Sequence, residues 1–354
     1  MDKHYLKDAN SIMGGLGELN ERFAGKTVLI TGVAGFLGTQ FAHYFLALND
    51  ARALSRPCRV IGLDSFLRGV PGWLDELKTR KELEIQSVDV VRCEAYARAD
   101  FIIHGASVAS PIFYRRYPIE TMDANVWGLR RLLEHARETA PQSLLFFSSS
   151  EIYGDPDIDH IPTDEDYRGY VSCTGPRACY DESKRFGETL CLAFWNVHRV
   201  PVKIARPFNN YGPGLRISDR RVLPDFFRDA LNNRDIVLLS DGRATRTFCY
   251  VSDALEGYLR LLLSNENGEP FNIGTASPEI SMGDLAREVI RVCGKEVGVV
   301  EKPSEDKHYL SDNPQRRCPS IAKAQRRLGY EPRVSLKEGL GRMRDYYLDH
   351  LHDE

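Results

Sequence analysis

The chain has 354 residues, of which 42% are apolar and 27% charged, and its formal net charge is −3. This is the composition of a globular protein of about two domains, without the basic surplus that nucleic-acid binding requires. No apolar run reaches the ~18 residues of a membrane span, and the polar segment 1–25 lacks the apolar centre of a signal peptide. We therefore expect a cytoplasmic protein without nucleic-acid or membrane partners, in which segment 1–25 is an extension packed on the surface or at a subunit contact.

The eight cysteines are scattered along the chain, and none forms a CxxC pair. The nine histidines do not show the paired spacing of metal ligands. We therefore expect free thiols in a reducing compartment and no metal site. Cys179 adjoins Tyr180 in the sequence, but nothing marks it as a nucleophile.

A glycine-rich turn between a strand and a helix is the first strong local pattern. Residues 27–31 are β-branched and apolar, typical of a parallel strand buried on both faces. The glycines that follow have GxxGxxG spacing and lead into an apolar helix. Such glycines let the backbone turn tightly and approach a pyrophosphate, which binds at the helix N-terminus. The predicted dinucleotide contacts here are Gly32, Gly35, Phe36, Leu37 and Gly38. The alternative is a sheet of this type that binds no cofactor.

An acidic residue ends the second predicted strand, 58–64. The carboxylate of Asp64 can accept hydrogen bonds from both hydroxyls of an adenosine ribose and would repel a 2′-phosphate, which favours NAD over NADP. A third strand is predicted over 85–91, where Asp89 could reach the adenine. We predict a fourth strand over 99–107 and a fifth over 143–154.

The alternation of strands with helical stretches such as 125–138 predicts an α/β fold, a Rossmann-type doubly wound parallel sheet. The NAD-binding domain is expected over residues 26–206, with a return of about 247–274. A smaller, mostly helical domain for the substrate is expected over 207–246 and 275–354, where apolar residues recur at three- and four-residue spacing.

Polar side chains at the end of the fifth strand and a downstream Tyr–Lys pair suggest catalysis. Tyr180 and Lys184 lie four residues apart, on one face of a predicted helix. A nearby ammonium favours the phenolate, so Tyr180 can act as a base, while Ser149 hydrogen-bonds a substrate oxygen. Taken alone, the serines read as a turn or a helix cap and the Tyr–Lys pair as a solvated face. Together with a dinucleotide fold they predict an active site.

At this point the chain resembles the extended short-chain dehydrogenases/reductases, in the sugar-nucleotide epimerase/dehydratase group, over about residues 26–350. The resemblance is strongest to the UDP-glucuronate decarboxylase branch. It rests on the glycine turn, the acid after strand two and the Ser and Tyr–Lys pair, and on the strings "HGASVASPIFYRRYPIET", "SSSEIYGDP", "GPRACYDESKR", "FNNYGP", "TRTFCYVSD" and "NPQRRCPSIAKAQRRLGY".

The resemblance implies a role for each matching residue. The implied catalytic residues are Ser149, Glu151, Tyr180 and Lys184, of which the last two also contact NAD. The implied substrate contacts are Tyr114 over the sugar, Asn209 and Arg221 at the nucleotide, and Arg246 near the diphosphate and the acid end of the sugar. Two positions depart from the family pattern: Gly214 stands where arginine is usual, and Ser149 where decarboxylases often have threonine.

The implied activity is oxidation of UDP-glucuronate at C4 by NAD, loss of the C6 carboxyl as CO₂, and reduction to UDP-xylose or release of the 4-keto form. No metal is needed, Glu151 with water would protonate C5, and a homodimer is expected. A 4,6-dehydratase or a 4-epimerase remains an alternative, although Ser150 stands where dehydratases carry an aspartate before the glutamate. A non-catalytic NAD-binding sensor or scaffold is an alternative from another class. The presence of Ser149, Tyr180 and Lys184 weighs against it.

Overall fold

The structure, a computed structural model, describes residues 1–304 and 311–350. Its strands, in chain order, are β1 (Thr27–Thr31), β2 (Arg59–Asp64), β3 (Leu83–Ser87), β4 (Phe101–His104), β5 (Ser143–Phe147), β6 (Val202–Pro207), β7 (Asn210–Tyr211), β8 (Ile236–Leu238), β9 (Thr245–Arg246), β10 (Cys249–Tyr250), β11 (Pro270–Ile273), β12 (Ile280–Ser281), β13 (Val299–Glu301) and β14 (Arg316–Arg317).

The α-helices, in the same order, are α1 (Lys3–Leu16), α2 (Phe36–Asp50), α3 (Trp73–Leu77), α4 (Pro111–Arg116), α5 (Pro118–Asp123), α6 (Leu129–Thr139), α7 (Ala178–His198), α8 (Val222–Leu231), α9 (Val251–Leu263), α10 (Met282–Cys293), α11 (Ala322–Leu328) and α12 (Leu336–Asp349). None of these helices combines the length and the apolar character needed to cross a membrane. All eight cysteines are free.

The main sheet has the order β11-β6-β5-β4-β1-β2-β3, and every neighbouring pair is parallel. The connections run outward from β1 in both directions, so the sheet is doubly wound, as predicted. In such sheets the ligand crevice lies beyond the carboxyl ends of the strands, where the winding direction reverses. Here that point falls between β1 and β4.

Helices cover both faces of the sheet, which explains why its central strands are apolar throughout. On one face α2 and α9 bury aromatic side chains such as Phe41, Phe45 and Tyr258 against the strands. On the other face α6 and α7 contribute Leu132 and Phe194 to a second core. The site residues therefore stand on a rigid, two-sided support.

Three elements differ from the sequence prediction near the site. The third strand lies at Leu83–Ser87, earlier than predicted, so Asp89 follows it in a loop. The fifth strand ends at Phe147, because the Ser149 side chain accepts a hydrogen bond from the Glu151 amide and turns the chain into a 3₁₀ helix, Ser150–Tyr153. The helix predicted over 125–138 begins with a π turn before α6.

After β6 the chain leaves the main sheet and later returns to it. On its return α9 packs against the sheet and β11 pairs with β6. The remainder consists of helices α8, α10, α11 and α12 with short strands such as β8 and β13, which pair with each other. This is the smaller, mostly helical part that the sequence predicts. The exact domain bounds stay a prediction.

Segment 1–25 forms α1 and a 3₁₀ helix, and it packs on α2 and α9. Asp8 on α1 accepts hydrogen bonds from the Tyr250 hydroxyl (2.9 Å) and from Arg342 (3.1 Å). Burial raises the pKa of Asp8 to about 6, against the opposing effects of these two partners. The extension is thus tied by buried polar contacts to distant parts of the chain.

Candidate active site

A cleft of about 2090 Å³ runs along the carboxyl ends of the strands in the main sheet. Every residue that the sequence predicts for the site lines it. These residues are Gly32, Gly35, Phe36, Leu37, Gly38, Asp64, Asp89, Tyr114, Ser149, Glu151, Tyr180, Lys184, Asn209, Arg221 and Arg246. The structure therefore brings them together in one cleft.

The glycine turn forms the floor of one end of the cleft. Gly32 has a left-handed backbone (φ +73°), and a Cβ there would lie 2.7 Å from the Ala106 nitrogen. A Cβ on Gly38 would lie 2.1 Å from the Gly32 oxygen. Only glycine fits both positions, and the turn delivers the chain into the N-terminus of α2, whose first amides have no partner within the helix. This cradle fits the pyrophosphate of a dinucleotide.

The two acidic residues predicted for the cofactor lie beside this turn. Asp64 ends β2 and accepts backbone hydrogen bonds from Ala34 (2.9 Å) and Phe66 (2.8 Å). Each carboxylate oxygen has a second lone pair, so both can still accept from a ribose hydroxyl. Burial raises the pKa of Asp64, and the two amides oppose this. Asp89 is half-exposed in the loop after β3, where its carboxylate accepts from the Val91 amide (2.9 Å).

The proposed base, Tyr180, lies in the first turn of α7 and is buried. The Tyr114 ring stacks on it, with centroids 5.0 Å apart and an interplanar angle of 13°. Burial raises the pKa of Tyr180 to about 12, while a hydrogen bond with Ser149 lowers it. Ser149 therefore caps the 3₁₀ helix, as the interpretation of the serines as a helix cap predicts, and it also contacts Tyr180.

Lys184 lies one turn further along α7, with its ammonium 5.7 Å from the centroid of the Tyr180 ring. This ammonium donates a hydrogen bond of 2.8 Å to the Phe147 oxygen at the end of β5. Complete burial lowers the pKa of Lys184 to about 7. In the protein alone, burial of Tyr180 thus outweighs the lowering of its pKa that the sequence predicts from the lysine.

Glu151 is held between two arginines that the sequence analysis did not single out. Arg317 donates to both of its carboxylate oxygens (2.6 and 2.5 Å), and Arg177 forms a second ion pair with it. Burial opposes ionisation of Glu151, but the two guanidinium charges outweigh it and hold its pKa well below the ordinary value. A carboxylate held in this way is a poor proton source, so the expected role of Glu151 in protonating C5 does not suit this geometry.

A second carboxylate, Asp181, borders the same cluster with 3.6 Å between its oxygen and Arg177. Burial and the neighbouring Glu151 charge raise its pKa, and Arg177 opposes them. The sequence signal for Arg177 and Arg317 was available, since both lie in the strings that carry the family resemblance. Only the parallel pairing of β14 with β9, however, places Arg317 beside Arg246.

The predicted substrate residues line the same cleft as the glycine turn. Arg246 is buried, and its terminal nitrogens donate to the oxygens of Thr245, Pro314 and Gln315. Burial and the nearby Arg317 lower its pKa to about 9. The Asn209 amide donates to the Thr247 oxygen (2.9 Å).

Gly214 departs from the family pattern, and the N-terminal extension explains why. A Cβ at this position would lie 2.5 Å from the hydroxyl of Tyr5 on α1, and the backbone is left-handed (φ +82°). In addition, Gln40 on α2 donates to the neighbouring Pro213 oxygen. Tyr5 therefore fills the space that a side chain at position 214 would need, and the extension supports one wall of the cleft.

The sheet order, the glycine cradle and the adjacent Ser149, Tyr180 and Lys184 define a dinucleotide-binding enzyme of the doubly wound α/β class. A sequence model of the NAD dependent epimerase/dehydratase family matches residues 28–274. The chain belongs to this family, and NAD is its cofactor.

Relatives of known activity match nearly the whole chain. UDP-glucuronic acid decarboxylase 6 of Arabidopsis thaliana is 37% identical over 318 residues, which cover 90% of this chain and 88% of that protein. UDP-glucuronic acid decarboxylase 1 of Xenopus tropicalis is 37% identical over 326 residues, covering 92% and 73%.

Solved structures share the fold over the same length. An epimerase from Methanothermobacter thermautotrophicus has a TM-score of 0.80 at 28% identity and covers 96% of both chains. A UDP-glucuronic acid 4-epimerase from Bacillus cereus, in complex with UDP-glucuronic acid and NAD, has a TM-score of 0.75 at 24% identity, with 91% of this chain and 99% of that chain covered. At this identity the second likeness shows the fold alone.

Proposed function

We propose that this protein decarboxylates the nucleotide-activated uronic acid UDP-glucuronate, with NAD as cofactor, to UDP-xylose or its 4-keto form. The observation that carries the proposal is the group of three guanidiniums, from Arg177, Arg246 and Arg317, beside the Ser149–Tyr180 pair. The decarboxylase relatives at 37% identity support the same choice of substrate.

The charge of this arginine group matches an acidic sugar. Its three cations face only two carboxylates, those of Glu151 and Asp181, and burial and the Glu151 charge raise the pKa of Asp181. The group therefore keeps a positive surplus, which is costly to leave uncompensated inside a protein. A C6 carboxylate on the bound sugar would neutralise it, whereas the neutral CH₂OH of a hexose would not.

The proposed chemistry begins at the sugar's C4 hydroxyl. Tyr180 takes the hydroxyl proton, Ser149 holds the oxygen, and the Tyr114 ring, stacked on Tyr180, shields both from water. Bound NAD⁺ supplies the two-electron acceptor, and later the donor, for C4, together with a positive charge that favours the Tyr180 phenolate. The C4 ketone makes the sugar a β-keto acid, so the C5–C6 bond breaks with its electrons passing into an enolate. A proton from water at C5 then gives the 4-keto pentose, and reduction at C4, with the Tyr180 proton returned to the oxygen, gives UDP-xylose. In this scheme Glu151 orients Arg177 and Arg317.

The substrate residues complete the proposal. Arg221 and Asn209 would hold the nucleotide diphosphate, since a guanidinium binds phosphate oxygens bidentately. Arg246 would add charge at the acid end of the sugar. Gly32, Gly35, Gly38, Phe36 and Leu37 would hold the pyrophosphate of NAD, Asp64 its ribose and Asp89 its adenine.

UDP-glucuronate is expected to release CO₂ and give UDP-xylose with no added reductant, or the 4-keto form with one NAD⁺ reduced per molecule of product. Mass spectrometry of the nucleotide products and trapping of labelled CO₂ would measure this. A neutral control, UDP-glucose, should give no CO₂. Loss of water from a neutral nucleotide hexose, without CO₂ from UDP-glucuronate, would make the enzyme a dehydratase. An unchanged mass with inverted C4 would make it an epimerase.

A homodimer is the proposed assembly, because apolar side chains are exposed on neighbouring helices. Ile119 on α5, Trp127 on the π turn and Phe186 on α7 are 50 to 60% exposed, and these elements pack side by side. Exposed apolar patches of this kind mark protein–protein interfaces.

Trp127→Glu combined with Phe186→Glu is expected to convert a dimer into a monomer, because two charges would be buried in an apolar contact. Light scattering coupled to size-exclusion chromatography would measure the mass. Ile158→Glu is the matched control, because Ile158 is 72% exposed in a different segment. A wild-type monomer, or a double variant that stays dimeric, contradicts this interface.

A further inference from the structure

A buried carboxylate outside the proposed chemistry links two arginines that line the cleft. Asp219 is 2% exposed, and its side chain forms ion pairs with two arginines, Arg68 at 2.7 Å and Arg221 at 2.8 Å. Each of its oxygens therefore serves a different guanidinium. In addition, the buried hydroxyl of Ser110, just before the helix that carries Tyr114, donates to the Asp219 main-chain oxygen (3.0 Å).

Arg68 belongs to the loop 65–72, which leaves β2 directly after Asp64. Leu67, Arg68 and Gly69 of this loop line the cleft. The loop is anchored to Asp64 itself, whose carboxylate accepts from the Phe66 amide. It therefore borders the part of the cleft where the adenosine ribose of NAD fits.

Further contacts hold this loop against the segment 216–221. The Arg216 guanidinium donates to the main-chain oxygens of Arg68 and Gly69. The Arg68 guanidinium also lies 4.4 Å from the centroid of the Phe113 ring, a cation–π contact. Side chains of the segment 216–221 and of α4 thus hold the loop in place.

We propose that Asp219 is a positioning residue that couples nucleoside diphosphate binding at Arg221 to closure of the loop 65–72 over the cofactor. The inference rests on one element of the proposed function, the contact of Arg221 with a diphosphate. It does not depend on which sugar is bound or on whether CO₂ is lost.

The direction of the coupling follows from the charges. The Arg221 atom nearest the Asp219 carboxylate is Nε, at 2.8 Å, so the terminal nitrogens of its guanidinium can face phosphate oxygens while this ion pair persists. A phosphate that fixes Arg221 also fixes the Asp219 carboxylate, and with it Arg68. If the phosphate instead draws Arg221 away, the buried carboxylate depends more strongly on Arg68, because a buried charge without a partner is costly. Either response holds the loop closed.

Because the loop closes over the cofactor, a nucleotide that closes the loop also strengthens cofactor binding. By thermodynamic linkage, the bound cofactor strengthens nucleotide binding by the same factor. When the sugar is reduced again at C4, as in the formation of UDP-xylose, the enzyme returns its cofactor to the starting oxidation state in each turnover. A loop that opens least when substrate is present would keep the reduced cofactor in place during the interval when the sugar is oxidised. Asp219 would then act through Arg68 and Arg221, without touching the reacting atoms.

The test measures NADH release by stopped-flow fluorescence, with UDP as the probe and no turnover. For the wild-type protein we expect saturating UDP to slow release by about 10-fold or more, within the ordinary range of allosteric coupling. Asp219→Asn keeps the shape of the side chain but removes the charge, and it should reduce this effect to less than about 3-fold. Arg68→Gln, which leaves the Asp219–Arg221 pair intact, should do the same.

Asp229→Asn is the matched control. Asp229 also pairs with two arginines, Arg228 at 3.3 Å and Arg234 at 3.1 Å, but it does not line the cleft. It should keep the wild-type ratio of release rates. A merely structural role for Asp219 would lower thermal stability but leave the ratio unchanged.

Calorimetry of UDP binding separates the ways in which the idea can fail. If UDP binds the wild type but does not slow NADH release, the coupling is wrong and the proposed function stands. If UDP does not bind, Arg221 does not hold a diphosphate, and the proposed coupling is wrong as well. Should Asp219→Asn not fold, Arg68→Gln decides, and a wild-type ratio in that variant overturns the proposal.

Discussion

Replacing Tyr180 by phenylalanine is expected to lower kcat by about 10²-fold or more, the usual scale for loss of a general base. The variant lacks only the hydroxyl that would take the C4 proton. Its ring still stacks on Tyr114, so the packing of the site should persist. NAD binding should also persist, because the glycine turn and Asp64 are unchanged. Turnover of UDP-glucuronate and the NAD content of the purified variant are the two measurements.

A control for the loss of a buried tyrosine hydroxyl is available elsewhere in the fold. Tyr330 is fully buried, and its hydroxyl donates to the Gly274 oxygen at 2.8 Å, away from the cleft. Tyr330→Phe should cost about 1 kcal/mol of stability, as for an ordinary hydrogen bond, and leave kcat unchanged. A folded Tyr180→Phe enzyme with nearly wild-type turnover would remove Tyr180 from the mechanism.

The second large effect is expected from Glu151→Gln, which removes the carboxylate between Arg177 and Arg317. Breaking a buried ion pair from one side typically costs ~3–5 kcal/mol, because the remaining charge stays buried. The loss should fall at the lower end of this range, because Asp181 would no longer be repelled by Glu151 and could ionise in its place. Thermal unfolding of both proteins would measure the difference, and turnover should fall as the arginines lose their alignment.

The effect of this substitution on stability should depend on pH in a defined direction. The folded-state pKa of Glu151 is depressed, so its contribution is complete above the unfolded pKa of ~4.3 and is lost as pH falls towards the folded value. The gap in Tm between wild type and Glu151→Gln should therefore be widest near neutral pH and narrow in acid. A gap that widens as the pH falls would contradict this assignment of charge.

Glu188→Gln is the matched control for this substitution. Glu188 binds Arg206 through two hydrogen bonds, of 2.8 and 2.7 Å, and neither residue lines the cleft. This variant should also lose stability but keep kcat. If Glu151→Gln keeps both its Tm and its turnover, the arginine group does not depend on Glu151 and the proposed carboxylate site loses its support.

Local patterns in the sequence determined the fold class and the cofactor end of the cleft. The spacing of Gly32, Gly35 and Gly38 describes a turn whose geometry depends on neighbouring residues alone, and the structure has that turn. Tyr180 and Lys184 share a helical face because of their spacing. Apolar runs that alternate with amphipathic stretches predict a parallel sheet covered on both faces, which is the sheet observed.

Only the tertiary structure decided which charges meet. Glu151 pairs with Arg177 and Arg317, and Asp219 with Arg68 and Arg221, across long separations in sequence. With 47 basic and 50 acidic residues in the chain, no periodicity selects these partners. Burial likewise raises the pKa of Tyr180, where the sequence predicts a lowered value beside Lys184, because desolvation depends on everything packed around a group rather than on its neighbours in sequence.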